Sequence, residues 1–446
     1  MEGFLIAIVS IVFVLGVLVL VHEFGHFAAA KLFGVRVETF SIGFGKRLVG
    51  FRRGETDYRI SALPLGGYVK MTGETPLDSR TGAPEEFMSH PRWQRIIIAL
   101  AGPFMNIALA IGLLTVVYMV HDEEPAFWGE KATVGFVAPG STADKVGVKA
   151  GDTIVKIANV DNPTWEDVYL QTSTSPGAAV RLDLLRDRQV IATSVVPEKG
   201  SEEQGSNPGW TPYNPNTVAS LEAEMPAAKA GIKVGDSITA IDGAPIYSTE
   251  SMIAMLQQTK EKPVELTVQR DGKEFKVTVT PQLTNDKGES RYRIGMVSEP
   301  KYISLHLPFK AALSKSLDEN RKFSFLVVDL VKKLARGAVS IKTMSSPIGM
   351  AKASGEAARQ PGWSPLMRMM ALFSLQLGIF NLFPIPILDG GMILMLLIEG
   401  LMRRDISMRI KERAYQVAFV FLMLFAAVVI FNDIVKTVPG LHQHLP

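Results

Sequence analysis

The sequence predicts a multi-pass α-helical membrane protein with four transmembrane helices, a membrane-associated β-hairpin, and two tandem α+β domains on the periplasmic side. Three observations predict it. Four stretches, residues 3 to 21 (running on to about Leu32), 96 to 120, 369 to 398 and 414 to 432, are apolar and long enough to span a bilayer. The region between the second and third stretches repeats itself at a spacing of 84 residues, from Gly147 to Gly231. The chain of 446 residues is 47% hydrophobic and 20% charged, too apolar for an ordinary soluble enzyme and too polar for a pure transporter.

Residues 1–33 form the first span. It opens with Glu2 where a signal peptide has a basic n-region, and His22-Glu23 interrupts its end, so Ala28-Ala29-Ala30 reads as helix and not as a cleavage site. In residues 34–95, Phe40 to Gly45 and Tyr58 to Met71 read as short strands broken by glycines and basic turns. Non-helical backbone at a membrane is tolerated where it is buried in protein or lines a cavity, as in a hairpin dipping toward the first span. The second span covers 96–120. The first repeat with its Ser, Asn, Gly and Pro-rich linker covers 126–215, and the second covers 216–300. Residues 301–366 include an amphipathic helical segment, 309 to 336, which either lies on the membrane surface or packs on a domain as a solvated helix. The third span is 367–399, a basic loop follows at 400–413, and the fourth span is 414–436.

Basic residues give the orientation. Lys46, Arg47, Arg52, Arg53 and Arg59 in one loop, and Arg403, Arg404, Arg409, Lys411 and Arg413 in the other, place both loops in the cytoplasm and both termini and the repeats on the opposite side, which in a bacterium is the periplasm. Net charge of +3 gives no nucleic-acid stripe, and the absence of cysteine excludes disulfides, thiolate ligands and a Cys nucleophile.

The chemistry starts at His22-Glu23-Phe24-Gly25-His26. Histidines at i and i+4 share a helical face and can reach one metal ion, while the Glu between them can hold a proton for water. Ionisable groups inside a bilayer cost roughly 2.5–3.5 kcal/mol each on insertion scales, which argues for function. Two imidazoles leave a catalytic metal short of a third protein ligand. The intramembrane carboxylate available is Asp389, in Asn381-Leu382-Phe383-Pro384-Ile385-Pro386-Ile387-Leu388-Asp389-Gly390-Gly391, whose prolines and glycines would break the third helix. Asp389 without a metal would be a helix cap. Asn381 either donates an N–H to an oxyanion or substrate backbone, or bonds between helices. Glu399 reads as interfacial, and Asn106 as a helix-packing amide.

The pattern Ala227 to Gly243 resembles PDZ domains of bacterial membrane and periplasmic proteases. The first repeat follows it less closely, with Ala158-Asn159-Val160 in place of the Ile-Asp-Gly turn. As PDZ-like units the pair either takes up extended peptides by strand addition or serves as a rigid spacer. Together, the His-Glu-x-x-His span, Asn381-x-x-Pro384-x-Pro386-x-x-Asp389-Gly390 and the paired PDZ-like units resemble the site-2 proteases along nearly the whole chain. The resemblance implies a zinc metalloendopeptidase of the bacterial inner membrane, with Zn2+ held by His22, His26 and Asp389, Glu23 as general base and Asn381 positioning substrate. It further implies that the hairpin, through Gly43, Gly45, Leu65, Gly66, Gly67 and Tyr68, pairs with an extended substrate strand. The implied substrates are transmembrane segments of single-span membrane proteins, an anti-sigma factor already cut by another protease or remnant signal peptides, with the PDZ-like pair as a size filter. Two other functions fit the residues: a membrane-anchored zinc protease acting outside the bilayer, and a non-enzymatic PDZ membrane scaffold.

Overall fold

The computed structural model describes residues 2–74, 81–198, 206–214, 216–286, 289–300, 302–336 and 347–437. They form two compact units. Among the described residues, one takes in 2–74, 81–122, 306–332 and 347–437, and the other 123–198, 206–214, 216–286, 289–300, 302–305 and 333–336.

In the first unit, α1 (Glu2–Leu32) leads into β1 (Val37–Arg53) and β2 (Thr56–Met71), followed by α2 (Arg92–Val120). Among the described residues three helices are long and apolar enough to cross a membrane: Leu5–Leu32, Arg92–Val120 and Met408–Phe431. The expected third span is divided into two helices, which we label after those of the other unit.

The hairpin is more elaborate than the sequence suggested. Thr39 pairs with both Asp57 and Lys70, Phe40 with Tyr58 and Val69, and Ile42 with Ile60 and Gly67. Residues 57–60 pair in turn with the 49–52 segment. Two long strands thus fold back to give four adjacent segments with residues 67–71 at one edge. Gly43, at φ 88°, lets β1 bend here, and an added Cβ would meet the Leu63 carbonyl at 2.6 Å.

The second unit contains the two repeats. Each has a hairpin, Val180–Arg186 with Gln189–Val195 and Val264–Arg270 with Lys273–Val279, and a helix, α3 (Trp165–Ser173) and α4 (Thr249–Thr259). Each has its own apolar core, around Ile154, Trp165, Leu182 and Trp210 in one and Ile238, Leu256, Leu266 and Ile294 in the other. The residues that match at the 84-residue spacing make the same contacts in each copy. Arg186 Nε donates to Asp152 Oδ1 at 2.6 Å and its Nη2 to the Gly147 carbonyl at 2.7 Å, while Arg270 makes the same bonds to Asp236 and Gly231 at 2.6 and 2.9 Å. Both Asp side chains are buried, so each clamp joins the Gly-Asp turn to the end of a strand. The turn that looked different in the first repeat is retained, because Ala158 and Asp242 both adopt φ 49°.

The Arg270 guanidinium holds the Asp236 carboxyl below the usual carboxylate range, outweighing its burial. A carboxyl with a folded pKa below its unfolded value of about 3.9 adds stability above that pH, and the contribution is lost as pH falls through the folded value. Asp236→Asn should therefore lower the thermal midpoint of this unit by several degrees at pH 7, with the gap to wild type narrowing below pH 4. Equal differences at pH 7 and pH 3 would refute that account.

The described helices that follow are α5 (Phe309–Ala335), which belongs to the first unit as far as residue 332, and, in the first unit, α6 (Pro347–Arg359), α7 (Ser364–Asn381), α8 (Asp389–Met402) and α9 (Met408–Thr437). In the 309 to 336 segment, Ala312, Phe323 and Val327 of α5 pack in one cluster with Ala110 and Leu114 of α2 and Leu375 and Ile379 of α7. Glu399, expected at an interface, is fully enclosed. It takes the Lys411 ammonium at 2.7 Å and the Ile406 N–H at 3.1 Å, because the basic loop folds back over the end of α8. Met408–Phe431 of α9 leaves Val417, Phe421 and Leu424 exposed, as a lipid-facing helix would.

Candidate metal centre

Three close approaches build the site. Gly25 lets α1 lie against α2, since an added Cβ would fall 2.3 Å from the Ala101 carbonyl. Gly102 of α2 faces both rings, its hypothetical Cβ 2.3 Å from His26 Nε2 and 2.8 Å from His22 Cε1. Gly378 of α7 crosses α2 near the Pro103 carbonyl, and Ser374 Oγ donates to the Asn106 carbonyl at 2.8 Å, which brings the end of α7 to the same depth.

After Asn381 the chain turns sharply through residues 382–388 and restarts at Asp389. Gly390 and Gly391 pack on the Leu382 and Ile385 carbonyls, closer than any side chain would allow. His22, His26 and Asp389 are thereby brought together, their ligand atoms all within 4.8 Å of one another. The His22 and His26 Nε2 atoms are 3.2 Å apart; His22 Nε2 lies 3.2 Å from Asp389 Oδ2, and His26 Nε2 lies 3.5 Å from Asp389 Oδ1.

These residues fit a zinc ion. A tetrahedral zinc with ligands at about 2.0–2.1 Å sets neighbouring donors about 3.3 Å apart. Both histidines are buried, and Asp389 Oδ2 is buried with no hydrogen-bond partner despite its closeness to His22. The His26 Nδ1–H donates to the Ile98 carbonyl at 2.8 Å, which leaves the Nε2 lone pair directed at the cluster.

The other residues singled out lie around this point. Glu23 lines a cavity of about 380 Å³ together with the three donors, Asn381, Gly66, Gly67 and Tyr68. Asn381 Nδ2 is 3.4 Å from His22 Nε2. Gly43 and Gly45 flank Phe44, which lines the cavity and stacks on Tyr68 with ring centres 6.0 Å apart. The Leu65 side chain lies outside the described side chains.

Three features were not foreseen. The edge segment 67–71 runs past Glu23, with Gly67, Tyr68, Val69 and Met71 lining the same cavity. An added Cβ at Gly67 would touch Glu23 Cγ at 3.4 Å and the Ser41 carbonyl at 2.7 Å. Pro103 leaves the Ala99 carbonyl without its helical donor, and Ala99 lines the cavity.

A His-Glu-x-x-His helix meeting a carboxylate from a broken second segment defines the class: a zinc metalloprotease whose site is built among apolar helices. The chain belongs to peptidase family M50, the site-2 proteases, whose model matches residues 10–425. It is similar to "Regulator of sigma-E protease RseP" of Escherichia coli (strain K12), 32% identical over 97% of this chain and 99% of that protein. "Regulator of sigma E protease" of Salmonella typhi is 32% identical over 95% of this chain and 97% of its own. A "Putative zinc metalloprotease" of Vibrio cholerae is 31% identical over 96% of this chain and 98% of its own. A solved PDZ domain of the SdrC-like protein from Listeria monocytogenes is 25% identical over 20% of this chain and 90% of its own, at a TM-score of 0.18.

Proposed function

We propose that this protein is an intramembrane zinc endopeptidase that cleaves transmembrane segments of single-span membrane proteins. The supporting observation is the position of the 67–71 edge, which passes Glu23 at the mouth of the three-donor cluster. His22, His26 and Asp389 hold the metal. When bound, zinc supplies Lewis-acid chemistry, polarising a carbonyl and lowering the pKa of water.

The protein's own groups do the rest. A helical substrate hides its carbonyls in bonds to residues four positions on, so it must unwind before cleavage. Residues 66–71 offer an edge to replace those bonds by strand addition. A substrate carbonyl that takes an edge N–H such as that of Val69 lies beside the Glu23 carboxylate. Glu23 takes a proton from the attacking water and returns it to the leaving amine. The Asn381 Nδ2–H is placed to donate to substrate backbone or to negative charge developing on the scissile oxygen.

The relatives named for sigma-E regulation support a substrate of the anti-sigma-factor type, trimmed beforehand by another protease, with the PDZ-like pair excluding intact ectodomains. The apolar helices and flanking basic loops support an inner-membrane setting with both repeats and both termini in the periplasm and the catalytic site toward the cytoplasm.

The test is crosslinking. Single cysteines at 66–70 in a Glu23→Gln background should join to cysteines flanking the scissile bond of a model transmembrane substrate, and not to residues one helical turn away. Capture only at the second unit would remove the strand-addition step. Val69→Pro deletes the edge donor and should lower cleavage about 10-fold or more while bound zinc is unchanged, measured by gel assay and metal analysis. Wild-type cleavage by that variant would count against it equally.

A further inference from the structure

Asn106 lies in the middle of α2, fully buried, on an otherwise apolar helix. Its backbone carbonyl already packs α2 against α7 by accepting from Ser374 Oγ. The side chain does something separate. As placed, Nδ2 faces His22 Nδ1 at 3.2 Å, while the buried Oδ1 has no hydrogen-bond partner. An imidazole that gives its Nε2 lone pair to a metal carries its proton on Nδ1, so this arrangement sets two donors face to face. The two ends of an amide have the same shape, and turning it about its last torsion resolves both problems: Oδ1 accepts the His22 Nδ1–H, and the orphaned acceptor disappears.

We propose that Asn106 is the positioning residue of His22, accepting its Nδ1–H so that Nε2 is held toward the metal. The Ile98 carbonyl performs the same task for His26. The two histidines are thereby oriented by two acceptors on one helix. Ile98 is spaced eight residues from Asn106, and Gly102, midway between, opens the room for both rings. The His-Glu-x-x-His helix accordingly takes its tautomers from α2. The spacing Gly102-x-x-x-Asn106 keeps the small residue and the acceptor on one helical face.

The inference rests on zinc being held at His22, His26 and Asp389, and the experiment separates the two. The full-length protein, purified in detergent, is titrated with a chelator, and retained zinc is measured by elemental analysis. Asn106→Leu keeps size but loses the acceptor, and should release zinc at a chelator strength about 10–100-fold lower than wild type, the usual effect of removing an outer-shell partner. Asn106→Asp restores an acceptor and should hold zinc as wild type does. Ser374→Ala removes only the packing bond and should leave retention unchanged. Wild-type retention by Asn106→Leu overturns the proposal, as does loss in Ser374→Ala equal to that in Asn106→Leu, or failure of Asn106→Asp to recover. His22→Ala reports on the site itself: if it keeps full zinc, the metal lies elsewhere and the reading beneath the proposal fails first.

Discussion

Glu23→Gln should lower cleavage of a membrane-embedded substrate by roughly 10²–10⁴-fold, the range expected when a positioned proton carrier is removed, while bound zinc stays at the wild-type level. Glu23 is not one of the three converging donors, so the metal should not notice its loss. Gln keeps the length and shape of Glu, so the edge segment beside it in the cavity stays in place. What disappears is the capacity to take a proton from water and return it to the amine. Purified variant and wild type compared by cleavage assay and metal analysis on one preparation give the answer. Full activity would show that the proton moves through another group; loss of zinc in step with activity would show that Glu23 is structural.

Gly102→Ala is the second large effect. In a helix, Ala is favoured over Gly by about 1 kcal/mol, so a surface change of this kind would stabilise the protein. Here the new Cβ would fall 2.3 Å from His26 Nε2 and 2.8 Å from His22 Cε1. The rings have no room to retreat, because His26 is tied to the Ile98 carbonyl and both are buried. Zinc retention against chelator should fall by at least the roughly 10–100-fold that a lost outer-shell contact costs, and cleavage with it, while α2 remains helical. Gly112, further along α2, has nothing within 4 Å of an added Cβ, so Gly112→Ala is the control and should behave as wild type. Equal zinc in the two variants would mean that the α1–α2 contact is looser than described.

Both effects bear on what a reader of the sequence can see. The donors were legible because chemistry restricts them: in a chain without cysteine, two histidines at helical spacing and a carboxylate flanked by helix-breaking prolines and glycines stand out against apolar surroundings. Asn381 stands in the same broken segment, and the structure sets it on the cavity wall. The repeat was legible because the Gly-Asp turn and the Arg that clamps it recur at a fixed distance.

Other residues carry no such signal. Gly102 is one glycine among 38, and only the approach of α1 shows which of its faces must stay empty. Asn106 alone in a span reads as packing, since its distance from His22 in sequence is 84 residues and its partner is chosen by how two helices cross. Glu399 marks the end of an apolar run in the sequence, and the loop that returns Lys411 to it is not written in local periodicity.

The sequence by itself determined the kind of chemistry, the apolar segments that house it and the duplicated domain, because these depend on side-chain type and on spacing along one helix or strand. Only the tertiary structure decided the rest: that β1 and β2 fold back to set residues 67–71 beside Glu23, that α2 presents Ile98 and Asn106 to the two imidazoles, and that the broken third segment delivers Asp389 to them. Those are contacts between segments up to hundreds of residues apart, fixed by how closely backbones can approach at Gly25, Gly102 and Gly378. Local patterns record a residue's own preferences, and close packing selects which of them meet.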